Sequence, residues 1–215
     1  MDTPTGILLF LISLIASFFI GLIPSGFLIG KIRGVDITKK GSGNIGATNV
    51  ARTGKNKLEK IFLFGLVLIL DACKAFLAVH FLGMFFEGAV LKNLLGVAVL
   101  FGNTNPFSCA LFSGIRRGKG VATSIGVILA LAPSFFLFGG IAAFLAMLYM
   151  ERYVSVASVS AVVFVFALTL MFFHDALLFT AVASVVVYLR HGENFSRIKR
   201  NEEPKVRFFW EKEKN

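Results

Sequence analysis

VATSIGVILALAPSFFLFGGIAAFLAMLYM, Val121 to Met150, contains no charged residue. As a single helix it would be ~45 Å long at about 1.5 Å per residue, against a bilayer hydrocarbon core of ~30 Å. Pro133, Ser134 and Gly139-Gly140 offer places for the chain to reverse. Whether this stretch crosses a bilayer once or twice sets the sidedness of everything after it. Two short helices, roughly Val121–Ala132 and Phe135–Met150, are expected. A re-entrant hairpin is the rival arrangement, tolerated where protein surrounds it.

The basic residues argue against a single crossing. Lys31, Arg33, Lys39, Lys40, Arg52, Lys55, Lys57 and Lys60 form one cluster, and Arg116, Arg117 and Lys119 a second. Arg190, Arg197, Lys199, Arg200, Lys205, Arg207, Lys212 and Lys214 form a third. Basic loops between membrane spans stay on the cytoplasmic side. The flanking apolar stretches are Gly6–Ile29, Ile61–Phe81, Leu94–Phe112, Val156–Phe173 and Ala176–Leu189. All three clusters share one side if Val121–Met150 does not cross just once; a re-entrant hairpin would also satisfy this, and the helix pair, with two crossings, is the arrangement expected. That gives an all-α polytopic membrane protein with seven transmembrane helices, some short or broken. The N-terminus lies outside and the C-terminus in the cytoplasm.

Composition agrees with this class. Of 215 residues, 56% are hydrophobic and 16% charged, against about 25% charged in soluble domains. One integral membrane domain, 1–215, accounts for the chain. The net charge of +10 serves orientation rather than nucleic-acid binding, since no recognition module surrounds it. Cys73 and Cys109 lie in apolar stretches and read as free thiols. No Lys or Arg precedes Lys31, so the first stretch lacks a signal peptide's basic region and reads as a retained span.

Three polar stretches interrupt the hydrophobic pattern. GSGNIGATNVAR, Gly41 to Arg52, places glycines at Gly41, Gly43 and Gly46, where backbone N–H groups can approach a phosphate. Ser42, Asn44, Thr48, Asn49 and Arg52 add donors. A nucleotide P-loop would need Gly-Lys-Ser/Thr, and a dinucleotide fold needs a βαβ unit; neither is present. The second stretch places Gly118-Lys119-Gly120 before a helix start, where unpaired N–H groups and partial positive charge attract anions. The third, RHGENFSR, brings His191, Glu193, Asn194 and Arg197 to the membrane surface. His80, His174 and His191 are scattered, so no metal site is expected. No Gly-x-Ser-x-Gly elbow supplies a nucleophile. The reading is a site for phosphorylated small molecules on the cytoplasmic face. A small anion transporter or channel is the alternative, because broken spans and a basic mouth suit one.

Taken together, GSGNIGATNVAR at 41–52, GKGVAT at 118–123 and RHGENFSR at 190–197 resemble the bacterial acyl-phosphate:glycerol-3-phosphate acyltransferases. GLIPSGFLIGK at 21–31, DACKA at 71–75 and RYVSVAS at 152–158 extend the resemblance more loosely. It implies a seven-helix enzyme of the bacterial cytoplasmic membrane. Such an enzyme moves a fatty acyl group from acyl phosphate to the 1-hydroxyl of glycerol 3-phosphate, releasing lysophosphatidate and phosphate. It implies no cofactor, no acyl carrier protein as direct donor, and a monomer as a sufficient unit. One position departs from the family pattern: Asn103 stands where a histidine is usual, and a structural role is expected for it.

An acyl phosphate is already activated, so the remaining task is to hold two anions together and align them. Motif position implies that Gly41, Ser42, Gly43, Asn44, Gly46, Thr48, Asn49, Gly118 and Gly120 hold phosphate. Arg52 and Lys119 would balance charge, and His191 and Asn194 would orient glycerol 3-phosphate. Ser155, Ser158 and Glu193 are further candidate contacts, Glu193 chiefly by orienting cations. Either His191 or a donor phosphate oxygen would take the hydroxyl proton. Asp71 and Lys74, three apart on one helical face, are expected to pair internally.

Overall fold

The computed structural model describes residues 3–104 and 118–206. Regular structure there is helical: α1 Pro4–Leu22, α2 Ser25–Ile32, α3 Ala47–Ala51, α4 Lys57–Gly83 and α5 Ala89–Thr104. There follow α6 Val121–Leu131, α7 Phe135–Glu151, α8 Val154–Phe172, α9 Leu177–Arg190 and α10 Gly192–Lys199. Three segments are long and apolar enough to cross a membrane alone: Pro4–Ile32, Lys57–Gly83 and Val154–Phe172. Counting α9 with α10, bent by 46° at His191, gives up to four. Large apolar side chains on their outer faces, Leu8, Phe19, Ile61 and Met171 among them, are exposed, as lipid-facing residues are.

The 121–150 stretch breaks at Ala132-Pro133, with α6 before it and α7 after it. Proline has no N–H to continue a helix and restricts the residue before it to extended backbone. Ala132 accordingly has φ −130° and ψ 157°. α6 is only 11 residues long, ~16 Å at 1.5 Å per residue. It lies deep against α4. A Cβ on Gly126 would come within 1.9 Å of the Ala72 carbonyl oxygen, so only glycine permits this approach.

The first apolar stretch is not one rod. Its helix breaks at Ile23-Pro24, where α1 ends and α2 begins. The break exposes carbonyls at the end of α1, and Lys74 of α4 fills them. Its Nζ donates to Gly21 O at 3.3 Å and Ile23 O at 2.7 Å. It also pairs with Asp71 at 2.7 Å and donates to Asn103 Oδ1 at 3.0 Å. Asp71 in turn accepts from the Ser25 hydroxyl at 2.8 Å. The expected internal pair is present, and its further work is to join α1, α2, α4 and α5. The helix of the third apolar stretch starts at Ala89 and runs through Gly102-Asn103-Thr104. Asn105, Pro106 and the remainder to Arg117, including Cys109 and Arg116, lie outside the described residues. So do Arg207, Lys212 and Lys214.

Two hydrophobic clusters hold the domain. The larger one joins α1, α4, α5, α6, α7, α8 and α9 around Leu95, Val99, Val127, Phe136 and Phe179. Asn93 anchors the start of α9: its Oδ1 accepts the Phe179 N–H at 2.8 Å and its Nδ2 donates to Asp175 O at 2.6 Å. The smaller cluster, with Ile37, Ile45, Val50, Leu63 and Val67, seats the 41–52 loop on α4.

Candidate active site

The 41–52 loop is shaped by its own side chains. Gly41 and Gly43 have φ of 53° and 68°, a region that other residues rarely adopt. Asn49 is buried and ties the loop: its Oδ1 accepts the Ser42 N–H at 3.0 Å. Its Nδ2 donates to Ile37 O at 3.2 Å and Lys40 O at 3.0 Å. Asn44 Oδ1 accepts the Gly46 N–H at 2.7 Å. Folded this way, the loop presents Ser42, Asn44, Gly46, Thr48 and Arg52 to one cavity. Arg52, at the end of α3, pairs with no carboxylate among the described residues.

The same cavity, of about 540 Å³, receives Gly118, Lys119 and Gly120 from the turn before α6. Ser155 and Ser158 reach it from α8, and His191 and Asn194 from the α9–α10 junction. Stretches separated by up to 150 positions in sequence thus form one polar end. The cavity continues between α4, α6, α7 and α8, lined by Leu68, Ile125, Ile128, Ile141, Phe144 and Val162. Phe179 and Thr180 line it farther along α9. From His191 back to Phe179 is ~18 Å of helix rise. One chamber therefore has a cationic, amide-rich end and a deep apolar end.

The electrostatics follow from burial. Lys119 Nζ donates to Asn194 Oδ1. Desolvation holds Lys119 below the usual lysine range, at about 8, while the Glu203 carboxylate works in the opposite direction. His191 is buried, and its Nδ1 lies 2.8 Å from the Val187 carbonyl oxygen. Burial first, and Lys119 second, push it down to about 4. The ring is neutral at physiological pH. Its Nδ1 must carry the proton to bond that carbonyl, which leaves Nε2 as an acceptor. The Ser155 and Ser124 hydroxyls are buried without a hydrogen-bond partner among the described residues. Both residues line the cavity, so a bound molecule could satisfy them.

Most of the sequence-selected residues converge here, with four qualifications. Gly41 and Gly43 do not line the cavity and instead set the loop's conformation. Asn49 lines it, but its side-chain amide is fully used inside the loop and has no donor left for phosphate. Glu193 does not line it; it pairs with Arg197 at 3.1 Å. Arg197, from the third polar stretch, lines it as well, and residues not selected for the site from sequence also contribute: Glu203, Asp71, Asn103 and Ser124. Glu203 gave no signal because it sits in a charged tail, where one carboxylate among many basic residues reads as solvated surface.

The family model described as glycerol-3-phosphate acyltransferase matches residues 11–201. A glycerol-3-phosphate acyltransferase of Geobacillus kaustophilus is 40% identical over 199 residues, covering 91% of this chain and 95% of the relative. One of Listeria monocytogenes is 39% identical, covering 93% and 98%. Among solved structures, the glycerol 3-phosphate form of PlsY (YgiH), an integral membrane glycerol 3-phosphate acyltransferase, superposes with a TM-score of 0.79. It is 32% identical and covers 92% of this chain and 96% of that one. The lysophosphatidic acid form of the same protein gives a TM-score of 0.78.

Proposed function

This chain belongs to the glycerol-3-phosphate acyltransferase family, and from that premise we propose how its cavity performs acyl transfer. The protein is a bacterial membrane acyltransferase that esterifies glycerol 3-phosphate to lysophosphatidate. The observation that carries the mechanism is the two-ended cavity. A fatty acyl phosphate has an anionic head joined to an apolar chain, and the chamber has a complement for each. The acyl chain occupies the part lined by Ile125, Ile141, Phe144 and Val162. The donor's phosphate lies against Ser42, Asn44, Gly46, Thr48 and Arg52. Glycerol 3-phosphate takes the side of Lys119, Asn194 and His191, with Ser155 and Ser158 near the reacting carbonyl.

In the transfer step the 1-hydroxyl oxygen attacks the acyl carbonyl carbon. The carbon–oxygen bond to phosphate then breaks, and phosphate leaves with the electron pair. Arg52 and Lys119 offset repulsion between the two anions and hold them in line. His191 Nε2 can accept the hydroxyl hydrogen bond and orient that group. A base held at about 4 is too weak to keep the proton, whereas a phosphate oxygen, with a second pKa of about 6, is a better acceptor. The proton therefore passes to the departing phosphate. No covalent enzyme intermediate is needed.

For topology we adopt seven crossings: α1 with α2, α4, α5, α6, α7, α8 and α9. The N-terminus is outside and the C-terminus cytoplasmic. The support is the helix break at Pro133 together with the grouping of Lys119, Arg52 and Arg197 at one cavity end. Cysteines placed at Ser134 and Asp175 should react with an impermeant reagent from outside, and one at Lys55 should not.

The deciding experiment supplies purified protein in detergent with acyl phosphate and labelled glycerol 3-phosphate. Lysophosphatidate should form. Turnover with acyl-CoA but not with acyl phosphate would overturn the donor assignment.

A further inference from the structure

A site built to gather two anions also contains a buried carboxylate. Glu203 lies beyond α10, and its side chain is 7% exposed. One carboxylate oxygen accepts from Asn194 Nδ2 at 2.6 Å, the other from Arg197 Nε at 2.7 Å. The segment carrying it is pinned at the α7–α8 break, where Val206 N–H donates to Arg152 O at 2.8 Å. Lys205 sits over the Tyr153 ring at 5.2 Å. The segment thus spans from α10 to the start of α8, beside Ser155, with Glu203 facing the cavity.

This arrangement fixes the direction of a side-chain amide. With Nδ2 engaged by Glu203, Asn194 must turn Oδ1 toward Lys119. The carboxylate therefore acts on Lys119 through Asn194 and through its own charge. It also repels incoming phosphate, a disadvantage that needs an explanation. We propose that Glu203 is a positioning residue that keeps Lys119 protonated and aimed into the cavity, so that glycerol 3-phosphate meets a cation there. The inference rests on the acyl-transfer reading above.

Charged and titratable groups surround Lys119 from several elements. Arg52 lies after α3, His191 between α9 and α10, Glu193 and Arg197 on α10, and Asp71 on α4 across the same cavity. Glu203 is the largest of the charged influences that favour the ammonium form. Glu193, the second, is more exposed and already engaged with Arg197.

The test compares pH profiles of kcat/KM for glycerol 3-phosphate in wild-type protein, Glu203→Gln and Glu203→Asp, with thermal melts on each. In Glu203→Gln the alkaline limb should move down by about one pH unit or more, the low end for losing a close opposite charge. At pH 5.5, below a limb lowered from about 8 to about 7, it should keep turnover within roughly tenfold, since the lysine is then largely charged in both proteins. Glu203→Asp should restore the limb toward the wild-type position. In a Lys119→Arg background, which cannot deprotonate in this range, this limb should be absent and Glu203→Gln should not create one. Parallel profiles for wild type and Glu203→Gln would overturn the proposal. So would a Glu203→Gln protein that no longer folds, because the carboxylate would then be holding the fold. Absence of lysophosphatidate from wild-type protein would instead defeat the acyl-transfer reading itself.

Discussion

Ala161→Phe tests whether the acyl chain lies where the apolar half of the cavity would hold it. Ala161 lines that half from α8, two turns beyond Val154 and one turn before Val165. Ser155 to Val165 spans ~15 Å of helix at 1.5 Å per residue, so position 161 faces the middle of a long chain. A phenyl ring there would block the deeper part. Each buried methylene is worth about 0.8 kcal/mol. Excluding four of them removes about 3 kcal/mol, on the order of 100-fold in kcat/KM. A short donor that never reaches position 161 loses little. The assay mixes dodecanoyl, palmitoyl and octanoyl phosphates in competition and measures the lysophosphatidates by mass. The palmitoyl product should fall most, octanoyl least. Equal loss for all three chains, with the protein folded, would place the acyl chain elsewhere.

Arg52→Ala should lower kcat/KM by about 100-fold or more, as loss of an anion-stabilising donor does. Its melting temperature should barely change, because Arg52 leaves no carboxylate unpaired among the described residues; activity within threefold of wild type would remove it from the site. Lys74→Met should do the reverse and destabilise the fold, since the Asp71 carboxylate, two carbonyls and Asn103 lose their cation. Breaking a buried pair costs about 3–5 kcal/mol, and an unchanged thermal melt would contradict that role. Lys119, held at about 8 against 10.5 for a free lysine, gives opposite pH trends. Between pH 8 and 10.5 the unfolded chain binds more protons, so this group's contribution to stability rises with pH. Over the same range the folded site loses its cation, and kcat/KM for glycerol 3-phosphate should fall; a flat profile from pH 7 to 10 would deny Lys119 its role. Asn103→His should leave turnover within a few-fold, because the position accepts from Lys74 and a neutral imidazole can also accept; a gain of about 100-fold, near 3 kcal/mol of barrier, would show that a histidine there has a catalytic function.

What the sequence determined was local. Hydropathy placed the helices, and Pro133 marked the helix break because proline has no N–H for the helical hydrogen-bond ladder. The glycine-rich loop, Gly118-Lys119-Gly120 and His191-x-x-Asn194 could be picked out because anion binding uses donor types visible in single residues. Tertiary structure decided how those donors are shared. Asn49 looked like a phosphate ligand, yet packing turns its amide onto Ser42, Ile37 and Lys40. Lys74 looked like half of an ion pair, yet the helix break at Ile23-Pro24 leaves two more carbonyls for it at the end of α1. Glu203 carried no sequence signal and became a partner of Asn194 and Arg197 only when its segment folded back onto the α7–α8 break. Residue type limits what a group can donate or accept, but which partners it meets depends on helices brought together from distant parts of the chain. The apolar half of the cavity was hidden for the same reason. Residues that face lipid and residues that would face an acyl chain are chemically alike, and only the packing of α4, α6, α7 and α8 separates them.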